Sequence, residues 1–340
     1  MANLAQSGEP QDLFAFKINY NTVSNSVEGN VVPLYNGNIA ETFWRTSSDN
    51  IRRKYGYTYD YQNRLLDAWY QIPGSTVPLM NSFNEHLTYD SNGNIQTLYR
   101  NGEHEDASIP VFTIDQLAYA YDLGNKLLNV TDATNYSAGF NDGNNHQITF
   151  VNDFEYDTYG NLIIDRNKGI TEISYNHLNL PKKITFGTQG TITYLYDATG
   201  QKLKKTMTEG TNIQNTEYLD GFQYTQEALD FFPHQEGYVK VVSAQGVGGS
   251  SSFNYVFTYT DHLGNIRLRY TKTETQGLTI LEENHYYPFG LKHNGYNSDH
   301  KIFEFNDGIN SVVLTPVTPS RKETYKYKFQ GQEHQDEFGF

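Results

Sequence analysis

The segment YDTYGNLIID, Tyr156–Asp165, is one copy of a pattern that recurs along the chain. Two other copies are YDSNGNIQTL at Tyr89–Leu98 and YDATGQKLKK at Tyr196–Lys205. Each contains Tyr-Asp, two variable residues, a Gly and then a short run of strand-forming residues. A catalytic motif normally occurs once, whereas a recurring stretch is typical of a structural building unit.

The repeat extends over much of the sequence. Five copies begin at Tyr59, Tyr89, Tyr121, Tyr156 and Tyr196, and two degenerate copies begin at Tyr175 and Tyr259. Successive tyrosines are separated by 30, 32, 35, 19, 21 and 63 residues, and the last interval is three times 21. A unit of about 20 residues, sometimes lengthened by a loop, fits these intervals and predicts a repeat array.

The residue types of one copy predict a hairpin corner. Asp157 can accept a hydrogen bond from the backbone N–H two residues on, which starts a tight turn. Gly160, or Asn at the matching place in other copies, tolerates the positive φ that closes such a turn. Apolar and polar residues then alternate, as in ITEISYN at Ile170–Asn176. We therefore expect Leu162–Met207 to form about five antiparallel strands joined by short hairpins.

The composition agrees with a β protein. Of 340 residues, 15% are aromatic, with 28 Tyr and 20 Phe, while only 19% are charged. A disordered chain would be poor in aromatic residues and rich in charge. We expect an all-β fold in which repeated antiparallel β-hairpins form one large curled sheet. Another hairpin is expected at Leu34–Trp44, and a turn or two of helix at Thr113–Asp122 and at Thr225–Phe232.

Charge and cysteine content exclude several classes of function. The net charge of −14 opposes binding to nucleic-acid phosphates, and the short basic cluster Lys202, Lys204 and Lys205 is expected to be a solvated strand face. The absence of cysteine rules out disulfides, thiolate zinc sites and a cysteine nucleophile. No apolar run is long enough to span a membrane as a helix, and residues 1–16 lack the pattern of a secretory signal.

A calcium-loop pattern begins at Asp90 and continues with Asn92 and Asn94. The Gly and the bidentate Glu that this pattern needs are replaced by Ile95 and Asn101, so a hairpin turn is the favoured interpretation.

Two further groups of polar residues are candidates for chemistry. His285, His293 and His300 are close in sequence, but their spacing matches no metal motif, so surface or turn positions are expected. The acidic stretch Glu333–Glu337, which contains His334, is expected to be an exposed polar terminus. We predict no catalytic, cofactor-binding or metal-binding residue, no cofactor, and no enzymatic activity.

At the Tyr-Asp residues, the sequence resembles the RHS/YD-repeat family. Three later segments resemble the start of the RHS repeat-associated core, in the version found in Bacteroidota. They are YTDHLGNIRLRY at Tyr259–Tyr270, EENHYYPFGLKHNGYN at Glu282–Asn297 and YKYKFQGQEHQDEFG at Tyr325–Gly339. Together with the repeats, the resemblance covers the chain from about Tyr55 to its end.

The resemblance implies a fold and a function. Family members are large secreted or surface-attached bacterial chains whose YD repeats wind a sheet into a shell, or β-solenoid-like wrap, around a variable C-terminal toxin. The core continues in them with an aspartate-containing segment that assists self-cleavage. The chain, which ends at Phe340, is expected to stop before that segment, so no residue here inherits the cleavage role.

We divide the sequence into a lead-in β segment at 1–54, a YD-repeat region at 55–258 and the start of the core at 259–340, within one continuous body. The expected function is a structural wall segment of a secreted or surface RHS-type polymorphic toxin. Its expected partners are a C-terminal toxin domain or the rest of the shell, which lie outside this chain. The alternative is an adhesin-like β module whose aromatic face binds carbohydrates or proteins at the bacterial surface.

Overall fold

The computed structural model describes residues 12–24, 30–74, 82–102, 111–134, 136–143, 151–243, 251–273, 277–294, 300–317, 325–335 and 337–338. In these ranges every regular element is a β-strand and none is a helix, which confirms the predicted all-β class. The chain divides into two compact units. Unit 1 contains residues 1–149 and 285–296, and unit 2 contains residues 150–284 and 297–340.

This division does not coincide with the predicted sequence boundaries at 54/55 and 258/259. Those boundaries follow the sequence motifs of the repeats, whereas the two units are defined by contacts between residues, many of which are distant in sequence. The segment 285–296 belongs to the core-like part of the sequence but packs with unit 1. The predicted boundaries therefore stay predictions, and each unit is described by itself.

Unit 1 is an antiparallel sheet in which each described strand pairs with the next one in sequence. Its strands are β1 Phe14–Asn19, β2 Glu41–Thr46, β3 Arg53–Tyr59, β4 Leu65–Gln71, β5 Glu85–Tyr89, β6 Ile95–Gly102, β7 Phe112–Tyr121 and β8 Leu127–Asp132. The order β1 to β8 is kept across the sheet, so sequence neighbours are also spatial neighbours.

The core of unit 1 is aromatic. The Trp44 ring stacks on Tyr55 with 5.6 Å between ring centroids, and Tyr70 meets Phe83 edge-on at 5.2 Å. Tyr287 joins this cluster from the returning segment, and its hydroxyl donates a 2.6 Å hydrogen bond to the carbonyl of Asn101. Aromatic pairs stabilise a core beyond the area that they bury.

Unit 2 contains an 11-stranded antiparallel sheet and three two-stranded ones, again with neighbours in sequence order. The small sheets are formed by β9 Phe154–Tyr156 with β10 Leu162–Asp165, by β22 Lys301–Asn306 with β23 Ser311–Pro316, and by β24 Tyr327–Phe329 with β25 Gln332–Glu333. The large sheet is β11 Glu172–Tyr175, β12 Pro181–Phe186, β13 Gly190–Tyr196, β14 Lys202–Glu209, β15 Asn212–Leu219, β16 Phe222–Thr225, β17 Ala228–His234, β18 Gly237–Ser243, β19 Ser251–Thr260, β20 Ile266–Thr273 and β21 Gly277–Glu283.

The predicted five strands of Leu162–Met207 are confirmed as β10 to β14. The predicted single large sheet is instead divided into sheets of 8 and 11 strands and three smaller ones among the described residues.

The repeated corners have the predicted geometry. The Asp157 carboxylate accepts hydrogen bonds from the N–H groups of Tyr159 and Asn161, both at 2.8 Å. The backbone N–H of Asp157 donates to the carbonyl of Asn161, and Gly160 has φ 88°. The same bonds recur at the corners that begin at Asp60, Asp90, Asp122, Asn176, Asp197 and Asp261. The turn interpretation of the Asp90 pattern is therefore confirmed.

Three local predictions are wrong. Thr113–Asp122 is largely strand β7, because pairing with β6 on one side and β8 on the other outweighs its local helix preference. In Thr225–Phe232, a tight turn separates β16 from β17 where a helix was expected. Leu34–Trp44 contains only the start of β2, whose partners are β1 and β3, so it forms no hairpin of its own.

Candidate binding site in unit 2

The hairpin of β24 and β25 packs on the large sheet of unit 2. The Tyr325 ring, just before β24, stacks on Tyr238 of β18 with 3.9 Å between centroids and an interplanar angle of 6°. Phe231 of β17 meets Tyr325 edge-on at 5.0 Å. Because Phe231 and Tyr238 are themselves buried in the core, these contacts fix the hairpin to the sheet.

A cavity of about 490 Å³ lies beside the hairpin. Its walls are largely aromatic, with rings from Tyr218, Phe222, Phe231, Tyr238, Tyr325 and Tyr327. Polar groups are contributed by Gln201, Gln223, Gln332, Lys202 and Glu333. A cavity of this size, with aromatic walls and a few polar groups, is typical of a binding site for a small molecule or for the side chains of a partner.

The Glu333 carboxylate closes one wall and is almost completely buried. It accepts hydrogen bonds from Lys205 Nζ at 2.5 Å, from Lys202 Nζ at 3.0 Å and from the Tyr218 hydroxyl at 3.0 Å. Burial alone would raise the pKa of Glu333, but the two lysines outweigh burial and lower it. Glu333 is therefore ionised and is a poor proton donor. Its ion pairs with Lys202 and Lys205 hold the hairpin on the sheet, and we call this arrangement the clamp.

Glu337 extends the same cluster. It accepts from Lys205 at 2.8 Å and from Lys326 at 3.0 Å. Burial would raise the pKa of Glu337, and its hydrogen bond and charge interaction with Lys205, followed by Lys326, lower it instead. The buried network thus joins β14 to both ends of the hairpin.

This arrangement corrects two expectations. The basic cluster is not a uniformly solvated face, because Lys205 is only 4% exposed. Lys204 forms a partly exposed ion pair with Glu217. Glu333 and Glu337 are likewise buried, although an exposed terminus was expected. The reason is that the hairpin returns to the sheet at the point where β14 presents its lysine side chains.

The histidine expectation is also wrong for two of three residues. His285 and His293 are fully buried in unit 1. Trp44 Nε1 donates to His285 Nδ1 at 2.6 Å, and the Tyr55 hydroxyl lies 2.8 Å from His293 Nε2. His300 contacts Arg269 in unit 2. Within the part of the chain that the structure describes, no group of three or more His, Cys, Asp or Glu side chains is arranged to hold a metal ion.

A second surface of unit 2 carries partly exposed aromatic rings, which we name the aromatic stripe. It consists of Phe222, Phe232, Phe253, Tyr255, Phe257, Tyr259 and Tyr270. Alternate residues of β19 supply four of these rings, because side chains along a strand alternate between its two faces. Phe253 and Tyr255 are each 57% exposed, so the stripe is open to solvent at its centre.

The sequence predicts a β protein rich in aromatic residues but does not predict the cavity. The cavity walls come from β14 to β18 and from a hairpin about a hundred residues further along the chain, and no local motif marks such a meeting. Among the described residues, no helix is long and apolar enough to cross a membrane.

No protein-family model and no curated protein matches the chain. Solved structures do match it. The crystal structure of TcdB2-TccC3 has a TM-score of 0.50 and 13% identity, over 88% of this chain and 16% of that chain. The structure of the Photorhabdus luminescens Tc holotoxin pore with a TccC3 mutation has a TM-score of 0.50 and 13% identity, over 96% of this chain and 16% of that chain. At this identity the likeness concerns the fold alone: the chain has an RHS-like fold, similar to a segment of these Tc toxin structures.

Proposed function

We propose that the chain is a structural wall segment of a secreted or surface-attached RHS-type toxin, and that the wall encloses or displays a C-terminal effector. The observation that carries the proposal is the similarity in fold to the Tc toxin structures over most of the chain. The chain spans 16% of the length of those proteins, so the wall needs further protein beyond these residues.

The corners give a physical reason why the fold suits a wall. Each corner is closed by its own Asp or Asn, and several are hydrogen-bonded to a neighbouring corner, as in the 2.8 Å bond from Asn94 Nδ2 to Asn125 Oδ1. Strands can therefore be added one after another without a change in local design. The role is structural, and no catalytic step is assigned to it.

The proposal is tested by proteolysis of the protein purified from its source, together with whatever chain follows Phe340 in its reading frame. Limited digestion at neutral pH should leave that following segment intact, because the wall excludes the protease. Digestion of the same preparation after partial unfolding in denaturant is the matched control and should cut the segment quickly. Equal rates of cleavage in both preparations would contradict enclosure.

The aromatic stripe favours a second candidate, a surface module that binds glycans or a neighbouring protein. Exposed aromatic rings in a row stack well on the apolar faces of sugars. Glycan-array binding that is lost in Phe253→Ala and Tyr255→Ala would favour this function. Leu195→Ala is the control, because Leu195 is as exposed as these residues but lies outside the stripe. An array on which the wild-type chain binds nothing would count against the glycan function.

A further inference from the structure

Three side chains that can react with one another meet beneath the first strands of unit 1. Asn19 ends β1, Glu41 begins β2, and Lys54 lies near the start of β3. Lys54 Nζ donates to Glu41 Oε1 at 2.7 Å, and Asn19 Nδ2 donates to Glu41 Oε2 at 2.9 Å. A single carboxylate thus holds an amine and a carboxamide, one on each of its oxygens.

The strand register places the three groups on one face. Asn19 is directly opposite Glu41 in the pairing of β1 with β2. Lys54 is directly opposite Phe43, which lies two residues beyond Glu41 on the same face of β2. Diagonal neighbours of this kind are within reach of a long side chain such as lysine.

The site is shielded from water and is rigidly built. Asn19 is 7% exposed, Glu41 0% and Lys54 2%, and the Phe43 ring lies 5.8 Å from Lys54 Nζ. Ser24 fixes the carboxylate further: its N–H donates to Oε2 at 2.9 Å and its hydroxyl to Oε1 at 2.8 Å. Glu41 therefore has little freedom to turn away from either reactive partner.

We propose that Lys54 and Asn19 form an intramolecular isopeptide bond, with Glu41 as the catalytic residue. The Lys54 ammonium gives a proton to Glu41, and the resulting neutral amine attacks Cγ of Asn19. Nζ–Cγ is the bond that forms, and Cγ–Nδ2 is the bond that breaks. Glu41 passes its proton to the leaving Nδ2, and the amine that has attacked gives its second proton to the departing ammonia, which leaves as ammonium. No oxidant, reductant or cofactor takes part.

The geometry supplies what this reaction needs. Burial would raise the pKa of Glu41, but hydrogen bonds from Lys54, Ser24 and Asn19 outweigh it and lower the pKa, so Glu41 is ionised while both reactive groups are bound to it. A lysine becomes a nucleophile when it is desolvated beside a proton acceptor. Holding the amine and the carboxamide on one carboxylate replaces an encounter in solution by a fixed arrangement.

The bond would have a mechanical consequence. β1 is an edge strand of the unit 1 sheet, and the described strands give it one partner, β2. An edge strand is the part of a sheet that detaches most easily. A covalent link from Asn19 to Lys54 would tie β1 to β3 across β2 and would close the intervening chain into a loop.

The decisive experiment is mass spectrometry of the whole wild-type chain. The expected mass is lower than the sequence mass by one ammonia molecule. Trypsin should release a branched peptide in which Ile18–Arg45 is joined to Lys54–Arg64, because an acylated Lys54 is no longer cleaved. Cleavage after Lys240, an ion-paired lysine in unit 2, serves as the internal control and should proceed normally.

Two variants assign the roles. Glu41→Gln keeps the shape but lacks the base, and Asn19→Ala lacks the carboxamide, so both should have their full sequence mass and be cut after Lys54. A wild-type chain with its full sequence mass and normal cleavage after Lys54 would overturn the proposal, whether or not the variants fold. A linked Glu41→Gln chain would overturn the role of Glu41.

Discussion

The Tyr89 hydroxyl donates a 2.8 Å hydrogen bond to the carbonyl oxygen of Leu65, the first residue of the strand that follows the preceding corner. The same relationship recurs along both units, from Tyr121 to Ile95, from Tyr175 to Leu162 and from Tyr196 to Pro181. In each case the tyrosine before one corner is hydrogen-bonded to the strand that leaves the corner before it. This explains why the repeat needs tyrosine, where phenylalanine would pack equally well.

Tyr89→Phe should lower the free energy of unfolding by about 1 kcal/mol, because the Leu65 carbonyl loses its side-chain donor while the ring remains packed. Urea unfolding of the variant and the wild-type chain measures the difference. Tyr159→Phe is the control: Tyr159 is 84% exposed, so the loss of its hydroxyl should change the free energy of unfolding little. Equal losses in the two variants would show that the Tyr89 bond contributes nothing specific.

Gly93→Ala should destabilise unit 1 by roughly 1–2 kcal/mol, because Gly93 has φ 94° and a side chain there is strained. Gly124→Ala in the next corner is the matched control. Gly124 lies at the second variable position of its corner, where other corners have Asn92 or Tyr159. Its φ is not positive, so an alanine fits the backbone there. The alanine there should be neutral within about 0.5 kcal/mol. A neutral Gly93→Ala would contradict the corner geometry.

The protein should lose stability on the alkaline side between about pH 10 and 12. Burial raises the pKa of Tyr59, Tyr89 and Tyr119 to about 12 each. In the unfolded chain these hydroxyls ionise near 10, so above that pH the unfolded state releases protons that the folded state retains, which favours unfolding. Ultraviolet titration of tyrosine ionisation checks this, and a single transition near pH 10 would contradict it.

Glu333→Gln should destabilise the β24–β25 hairpin by about 3–5 kcal/mol, because it leaves the buried Lys205 without its closest negative partner. Hydrogen exchange of residues 325–335 measures the change. Glu217→Gln is the control, since Glu217 forms a partly exposed pair with Lys204 and should matter by less than about 1 kcal/mol. Comparable protection of the hairpin in both variants would rule out the clamp.

Acid should act on the same clamp. The pKa values of Glu333 and Glu337 are lowered from the ordinary 4.5, so their stabilising contribution is present above pH 4.5 and is lost as the pH falls through the lowered values. The protection of residues 325–335, relative to the intrinsic exchange rate at each pH, should therefore fall below about pH 4.5. The fall should be smaller in Glu333→Gln, in which Glu337 alone still titrates. Wild-type protection that stays constant down to pH 3 would contradict this role of the two carboxylates.

The corners were predictable because their chemistry is local. Asp157 binds N–H groups two and four residues away, and Gly160 supplies the positive φ within the same few residues. β7 was mistaken for a helix because its residues have local helix preference, while the pairing partners that decide its conformation lie in other strands.

The sites were harder to predict because their members are far apart in sequence. Lys205 and Glu333 are separated by 128 residues, and each looked solvent-exposed in its own surroundings. Asn19, Glu41 and Lys54 have no characteristic spacing in the sequence. The register of three strands places the Asn19 and Lys54 side chains beside the Glu41 carboxylate. A buried charge is recognisable from sequence only when its partner is known.

Electron cryomicroscopy of the intact protein from its source would show whether this chain is part of a toxin wall. The account predicts a hollow particle in which these residues form antiparallel wall strands, with the Tyr89 and Tyr121 corners stacked side by side and density for additional chain enclosed. A solid particle without an enclosed volume, with the aromatic stripe exposed on its surface, would contradict the wall function. The surface-binding function would then be favoured.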